Sequence, residues 1–128
     1  MRDRIDELSV TAAGLQPLTD LASVDALLSE SRQRPTVLFK HSPTCGISAH
    51  VHHDLMPLAS DPQLDADWYV ISVRAHRDVS DYVAERTGIT HESPQVIVLR
   101  DGKPAWNASL FDITAAALRE QVGGGARA

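Results

Sequence analysis

The stretch "TVLFKHSPTCGISAHVHHDLM", Thr36 to Met56, holds the chain's one cysteine, and its reading decides the fold. It opens on Thr36–Lys40, a short apolar run rich in β-formers, which reads as a buried strand. His41–Thr44, with Ser42-Pro43 inside it, is turn chemistry. A helix is expected from near Cys45 to about Leu58, closed by Pro57 and the Ser60–Gln63 turn. The stretch is therefore strand, tight turn and helix, with Cys45 at the junction of turn and helix.

Reading outward, Thr19 or Asp20 caps an upstream helix carrying Leu21, Val24, Leu27 and Leu28 at helical spacing. Downstream, Trp68–Val73 is a second strand. The polar loop Arg74–Asp78 leads into an amphipathic helix over Val79–Thr87, stopped by Gly88 as a left-handed residue. Gln95–Leu99 is a third strand, Asp101-Gly102 a hairpin turn, and Pro104–Ser109 a fourth strand. Asp112 or Thr114 caps the last helix. Residues 1–17 and 123–128 are expected to be loose, and residues 1–128 to form one domain. Strands joined through a helix run parallel by the right-handed crossover rule, while the last two make an antiparallel hairpin. The prediction is an α/β fold: a mixed four-stranded sheet, spatial order second, first, third, fourth, with helices on both faces. This is a thioredoxin-like layout. Ligands in such sheets gather at the carboxyl ends of the parallel strands, where Cys45 lies.

Composition narrows the function. The chain has 128 residues, 43% hydrophobic and 23% charged, with a net charge of -5. That balance lacks the basic stripe of a nucleic-acid binder and gives no attraction to an anionic membrane. The start "MRDRIDELSV" has no apolar core of a leader, and Val96–Leu99 is far too short to span a bilayer. A single cysteine and no export signal point to the reducing cytoplasm.

A helix start carries roughly half a positive charge and free N–H groups. Cysteines in such places have pKa values of about 3.5–7.5 instead of about 8.5, so Cys45 is the expected nucleophile. Lys40 and His41 are read as further positive charge nearby. Cys45-Gly46-Ile47-Ser48 is a C-x-x-S motif. Ser48 stands where a dithiol site has its resolving cysteine; it can donate a hydrogen bond to the thiolate but cannot form a disulfide. The chemistry is then monothiol: Cys45 forms a mixed disulfide that a second, external thiol must release. A buried, inert cysteine is the competing reading.

Ser93-Pro94, just before the third strand, is either a cis proline whose neighbour Ser93 offers its backbone to a bound thiol or an ordinary trans proline opening a strand. His50, His52 and His53 follow Cys45 on one helix. Their spacing fits no closed zinc pattern, and a solvated polar face is the expectation, with no metal. Arg74-Ala75-His76-Arg77 either presents guanidinium to carboxylates of a small thiol or is a solvated loop.

Several strings together resemble the monothiol bacilliredoxins, a branch of the thioredoxin superfamily. They are Phe39-Lys40-His41-Ser42, Thr44-Cys45 with Ile47-Ser48, and Val79-Ser80-Asp81-Tyr82-Val83-Ala84-Glu85. His91-Glu92-Ser93-Pro94-Gln95, Trp106 with Ala108-Ser109, and Ile113-Thr114 complete the set. The resemblance runs from about Pro35 to Val122. It implies a thiol–disulfide oxidoreductase that removes bacillithiol from S-bacillithiolated proteins, with bacillithiol as co-substrate and no tightly bound cofactor. In that scheme Cys45 attacks, Ser48 closes the motif, and Pro94 fills the superfamily's cis-proline position. Thr44, Gly46, Ile47, Ser93 and Pro94 contact the thiol. The family pattern usually carries proline where this chain has Gly46. Two alternatives stand beside it. One is an iron–sulfur carrier like the monothiol glutaredoxins, which share C-G-x-S. The other is an arsenate reductase, whose His-x-Pro-x-Cys start matches His41–Cys45 but whose arginine is replaced by Ala49.

Overall fold

The computed structural model describes residues 14–124. The expectation that the two ends are loose therefore lies outside the described residues for 1–13 and 125–128. Within the rest, β1 (Gln16–Pro17), α1 (Leu21–Glu30), β2 (Thr36–His41), α2 (Gly46–Ala59), β3 (Asp67–Ser72), α3 (Arg77–Thr87), β4 (Gln95–Arg100) and β5 (Lys103–Ser109) follow in order. A 3-10 turn (Leu110–Asp112), α4 (Ala115–Arg119) and a π turn (Glu120–Gly124) end the described chain.

The strands form one sheet in the order β1-β3-β2-β4-β5. β2 and β3 are parallel, while β2 with β4 and β4 with β5 are antiparallel. The order predicted for the four main strands holds. The sheet has five strands rather than four, because Gln16 and Pro17 pair in parallel with Tyr69 and Val70 at the β3 edge. Residues 14–17, expected loose, thus belong to the fold, as do Gly123 and Gly124 in the π turn. A two-residue strand has no periodicity of its own; the open edge of β3 recruits it.

Alternation along the strands builds two cores. Val37 and Phe39 of β2 and Val96 and Val98 of β4 face α2 and α4, packing on Val51, Leu55, Leu58 and Leu118. Leu38, Ile97 and Leu99 face α1 and α3, packing on Val24, Leu27, Val79 and Val83. Full burial of each aliphatic chain of this kind contributes about 1.5–3 kcal/mol.

Local chemistry sets the ends. Asp20 caps α1 by accepting the Ser23 N–H at 2.8 Å. Thr114 caps α4 by accepting the Ala117 N–H at 3.1 Å. Gly88 ends α3 at φ 76°. Asp101 and Gly102 join β4 to β5 with φ of 56° and 79°, the two positive angles a type I′ turn requires. Two predicted boundaries move. α3 begins at Arg77, so part of the predicted loop is helical. Pro57 lies inside α2. It sits in the last turn, where its ring removes only one late hydrogen bond, and the Ser60 N–H still reaches the Met56 carbonyl at 3.2 Å.

Candidate active site

Cys45 is the N-cap of α2, extended at φ -103° and ψ 125°, and its side chain is partly exposed. Its N–H bonds the Ser42 carbonyl at 3.1 Å, closing the turn, and its carbonyl accepts the Ala49 N–H at 3.0 Å, opening the helix. Its side chain makes no capping hydrogen bond to the first amides of this fourteen-residue helix, but the N-terminal end of a helix favours negative charge on a group placed beside it.

Ser48 is fully buried, one turn below. Its Oγ accepts the Ser42 N–H at 2.9 Å and lies 2.7 Å from His41 Nδ1. The hydroxyl is engaged with the end of β2. The hydrogen bond expected from it to the Cys45 thiol is not among the bonds of the described residues; Ser48 shapes the turn that carries the cysteine. His41 stacks on His52, ring centroids 4.9 Å apart, with Phe39 beneath both. Burial, then the neighbouring His52, lowers the His41 pKa. His41 is therefore neutral at pH 7 and supplies no cation to the thiol.

Lys40 also departs from its expected place. One residue from His41, it points to the opposite face of the sheet by strand alternation and is fully buried. Its Nζ lies 3.3 Å from His91 Nδ1, and burial pushes its pKa down to about 8. It serves the far side of the sheet rather than the rim around Cys45.

The Ser93–Pro94 peptide is cis rather than trans. Lys40 pairs with Gln95 across β2 and β4, so Ser93-Pro94 sits at the same end of the sheet as the turn bearing Cys45. The Pro94 carbonyl accepts the Leu110 N–H at 3.0 Å. Leu110 and the exposed Phe111 then line, with Ile47, His50 and Val51, a groove of about 170 Å³ against α2. From the other side, Arg74 Nη1 donates to Thr44 Oγ1 at 3.3 Å. Thr44, Gly46, Ile47 and Ser48 thus surround Cys45, with the cis-proline loop at the neighbouring strand end.

The family model for monothiol bacilliredoxin BrxC matches residues 16–118. The chain belongs to the monothiol bacilliredoxin family. A solved structure described as a candidate oxidoreductase with a thioredoxin fold is 29% identical, with a TM-score of 0.76, covering 86% of this chain and 95% of its own. Thioredoxin from Trypanosoma brucei brucei (11% identity, TM-score 0.73, 91% of this chain and 94% of its own) shares the fold. So does thioredoxin f from spinach chloroplast (13%, TM-score 0.70, 91% and 96%). The protein is a thioredoxin-fold oxidoreductase of thiol–disulfide chemistry.

Within this bacilliredoxin, the three helix histidines divide. His50 lies 3.3 Å from Asp54, His53 is exposed, and His52 is drawn under the site by its stack on His41. Among the described residues no three His, Cys, Asp or Glu side chains gather as a metal site, and none of the helices is long and apolar enough to cross a membrane. The sequence reading missed the His41–Ser48 bond and the Lys40–His91 pair. Alternation within β2 was the available signal: it sends Phe39 and His41 to one face and Lys40 to the other.

Proposed function

We propose that this bacilliredoxin is a monothiol transferase that removes bacillithiol from S-bacillithiolated proteins in the cytoplasm. The observation that carries the reading is a single, partly exposed cysteine at a helix N-cap, with a buried serine fixed where a resolving cysteine would stand. The Cys45 thiolate attacks the bacillithiol sulfur of the protein mixed disulfide. The old S–S bond breaks, the client leaves as a thiolate that takes up a proton, and a Cys45–bacillithiol disulfide forms. With no second cysteine in the chain, release requires another thiol to attack that disulfide. Thr44, Gly46, Ile47 and the Ser93-Pro94 backbone form the surface on which the small thiol rests, and family membership supports bacillithiol as that thiol.

The test is intact mass after incubation with a bacillithiolated client, beside a glutathionylated one. The expected result is one bacillithiol on Cys45, a freed client, and no transfer by Cys45→Ser with its circular dichroism unchanged. Transfer by Cys45→Ser, or no adduct from either client, overturns the reading.

A further inference from the structure

Lys40 is a costly residue to bury. Its relative exposure is 0%, and a hydrophobic chain of similar volume would fill the space between α1, α3 and the sheet without desolvating an amine. Among the described residues its ammonium has one hydrogen-bond partner, His91 Nδ1 at 3.3 Å. Ser80 Oγ, from α3, lies 3.1 Å from the same nitrogen. A charged lysine only donates, so Nδ1 is the acceptor and the His91 proton sits on Nε2. Three elements meet on one imidazole: β2, α3 and the loop that runs into β4.

That loop ends in Ser93–cis-Pro94. It is tied a second time when Gln95 Nε2 donates to the Thr90 carbonyl at 3.0 Å, and Gln95 is the cross-strand neighbour of Lys40. β2, to which Lys40 belongs, runs directly into the turn that carries Cys45. The buried Lys40 and the half-buried His91 therefore join the two halves of the site from beneath the sheet.

We propose that Lys40 is a positioning residue: through His91 it fixes the Thr90–Pro94 loop against β2, so that the Ser93 backbone is held to receive the mixed disulfide attacked by Cys45. The proposal rests on the transfer reading above. The groups facing this pair give it a pH dependence. The His91 pKa is lowered by burial first, then by Lys40 and Arg77, against the opposing pull of Asp81 and Glu92. Protonation would put a proton on Nδ1, turning the acceptor into a donor that faces a cation. The tie then fails on acidification, below the ordinary histidine range. On the alkaline side Lys40, lowered by burial against the pull of Asp81, becomes an amine that still donates, so the tie persists.

The experiment compares full-length wild type with Lys40→Met, His91→Ala and His91→Gln. Three quantities are measured: bacillithiol transfer from a client, alkylation of Cys45 by iodoacetamide, and amide hydrogen exchange across residues 88–95. In Lys40→Met, transfer is expected to fall about tenfold or more, as for a misplaced binding surface, with alkylation near wild type and faster exchange in the loop. His91→Gln, which keeps an acceptor for Lys40, is expected to transfer faster than His91→Ala and to lose the acid limb of the wild-type pH profile. Equal losses of transfer and alkylation in Lys40→Met, or unchanged transfer, overturn the proposal. If wild type moves no bacillithiol at all, the transfer reading fails; unchanged loop exchange in Lys40→Met then still overturns the positioning role.

Discussion

At the scale of single residues, Gly46 is the departure from the usual family pattern, and the structure gives it no steric reason. A Cβ built there meets nothing within 4 Å, and the residue is the first of α2. Cys45 before it already has φ -103° and ψ 125°, the extended conformation a residue preceding proline adopts. Proline is favoured at a first helical position because the N–H it lacks is unsatisfied there in any case. Gly46→Pro is therefore expected to stabilise the fold by about 0.4–1 kcal/mol, through lower entropy of the unfolded chain. A urea titration reads this as a higher midpoint at constant slope. A lower midpoint would mean that glycine's own conformational freedom is used in the native turn.

At the scale of elements, the junction of β2 and α2 depends on Ser48. From the first turn of α2 its Oγ reaches back to the Ser42 N–H and His41 Nδ1, so one buried hydroxyl fastens the helix start to the strand end. Ser48→Ala leaves those two groups without that partner, at a cost of about 1–3 kcal/mol. The outcome expected is a lower melting temperature together with measurable transfer, because the thiol stays on its helix. A dead variant of unchanged stability would instead give the hydroxyl a direct role at the sulfur. The sequence made the strand, the turn and the helix of this junction legible, because each rests on local signals: an apolar run, Ser42-Pro43, and apolar positions at helical spacing. The partner of Ser48 was not legible. It is chosen by how the strand and helix pack, and C-x-x-S alone suggested the nearer sulfur. The same distinction explains β1, visible only from the β3 edge, and Lys40, read as positive charge near the thiol until the strand's alternation and its pairing with Gln95 fixed the face it occupies.

At the scale of the whole molecule, the buried Lys40 and the half-buried His41 and His91 give stability a definite pH dependence. Lys40 titrates at about 8 in the folded protein against 10.5 when free of the fold. Between those values the unfolded chain binds more protons than the folded one, so stability rises with pH across that window. The penalty of the buried ammonium is fully present below about 8 and relieved above it. His41 and His91 are also lowered by burial. Below about 6.5, where a histidine in the unfolded chain begins to charge, the unfolded state again binds more protons, and stability falls as pH falls. Tyr69 acts in the opposite sense at the alkaline extreme. Burial raises its phenol, so its contribution is lost once the unfolded tyrosine ionises near 10. The informative range is therefore about pH 7.5 to 9.5, with Cys45→Ser as background, since an unfolded thiol titrates near 8.5. Urea midpoints in that background are expected to climb through this range, and adding Lys40→Met is expected to raise the value at pH 7.5 and flatten the climb. Because the same substitution is expected to slow transfer, the measurement separates two uses of the residue. A lysine kept for stability would lower the midpoint when removed, whereas one kept to hold the cis-proline loop leaves a protein that is firmer and slower. An unchanged slope with pH would place the titrating proton elsewhere and remove the buried ammonium from the energetics of the fold.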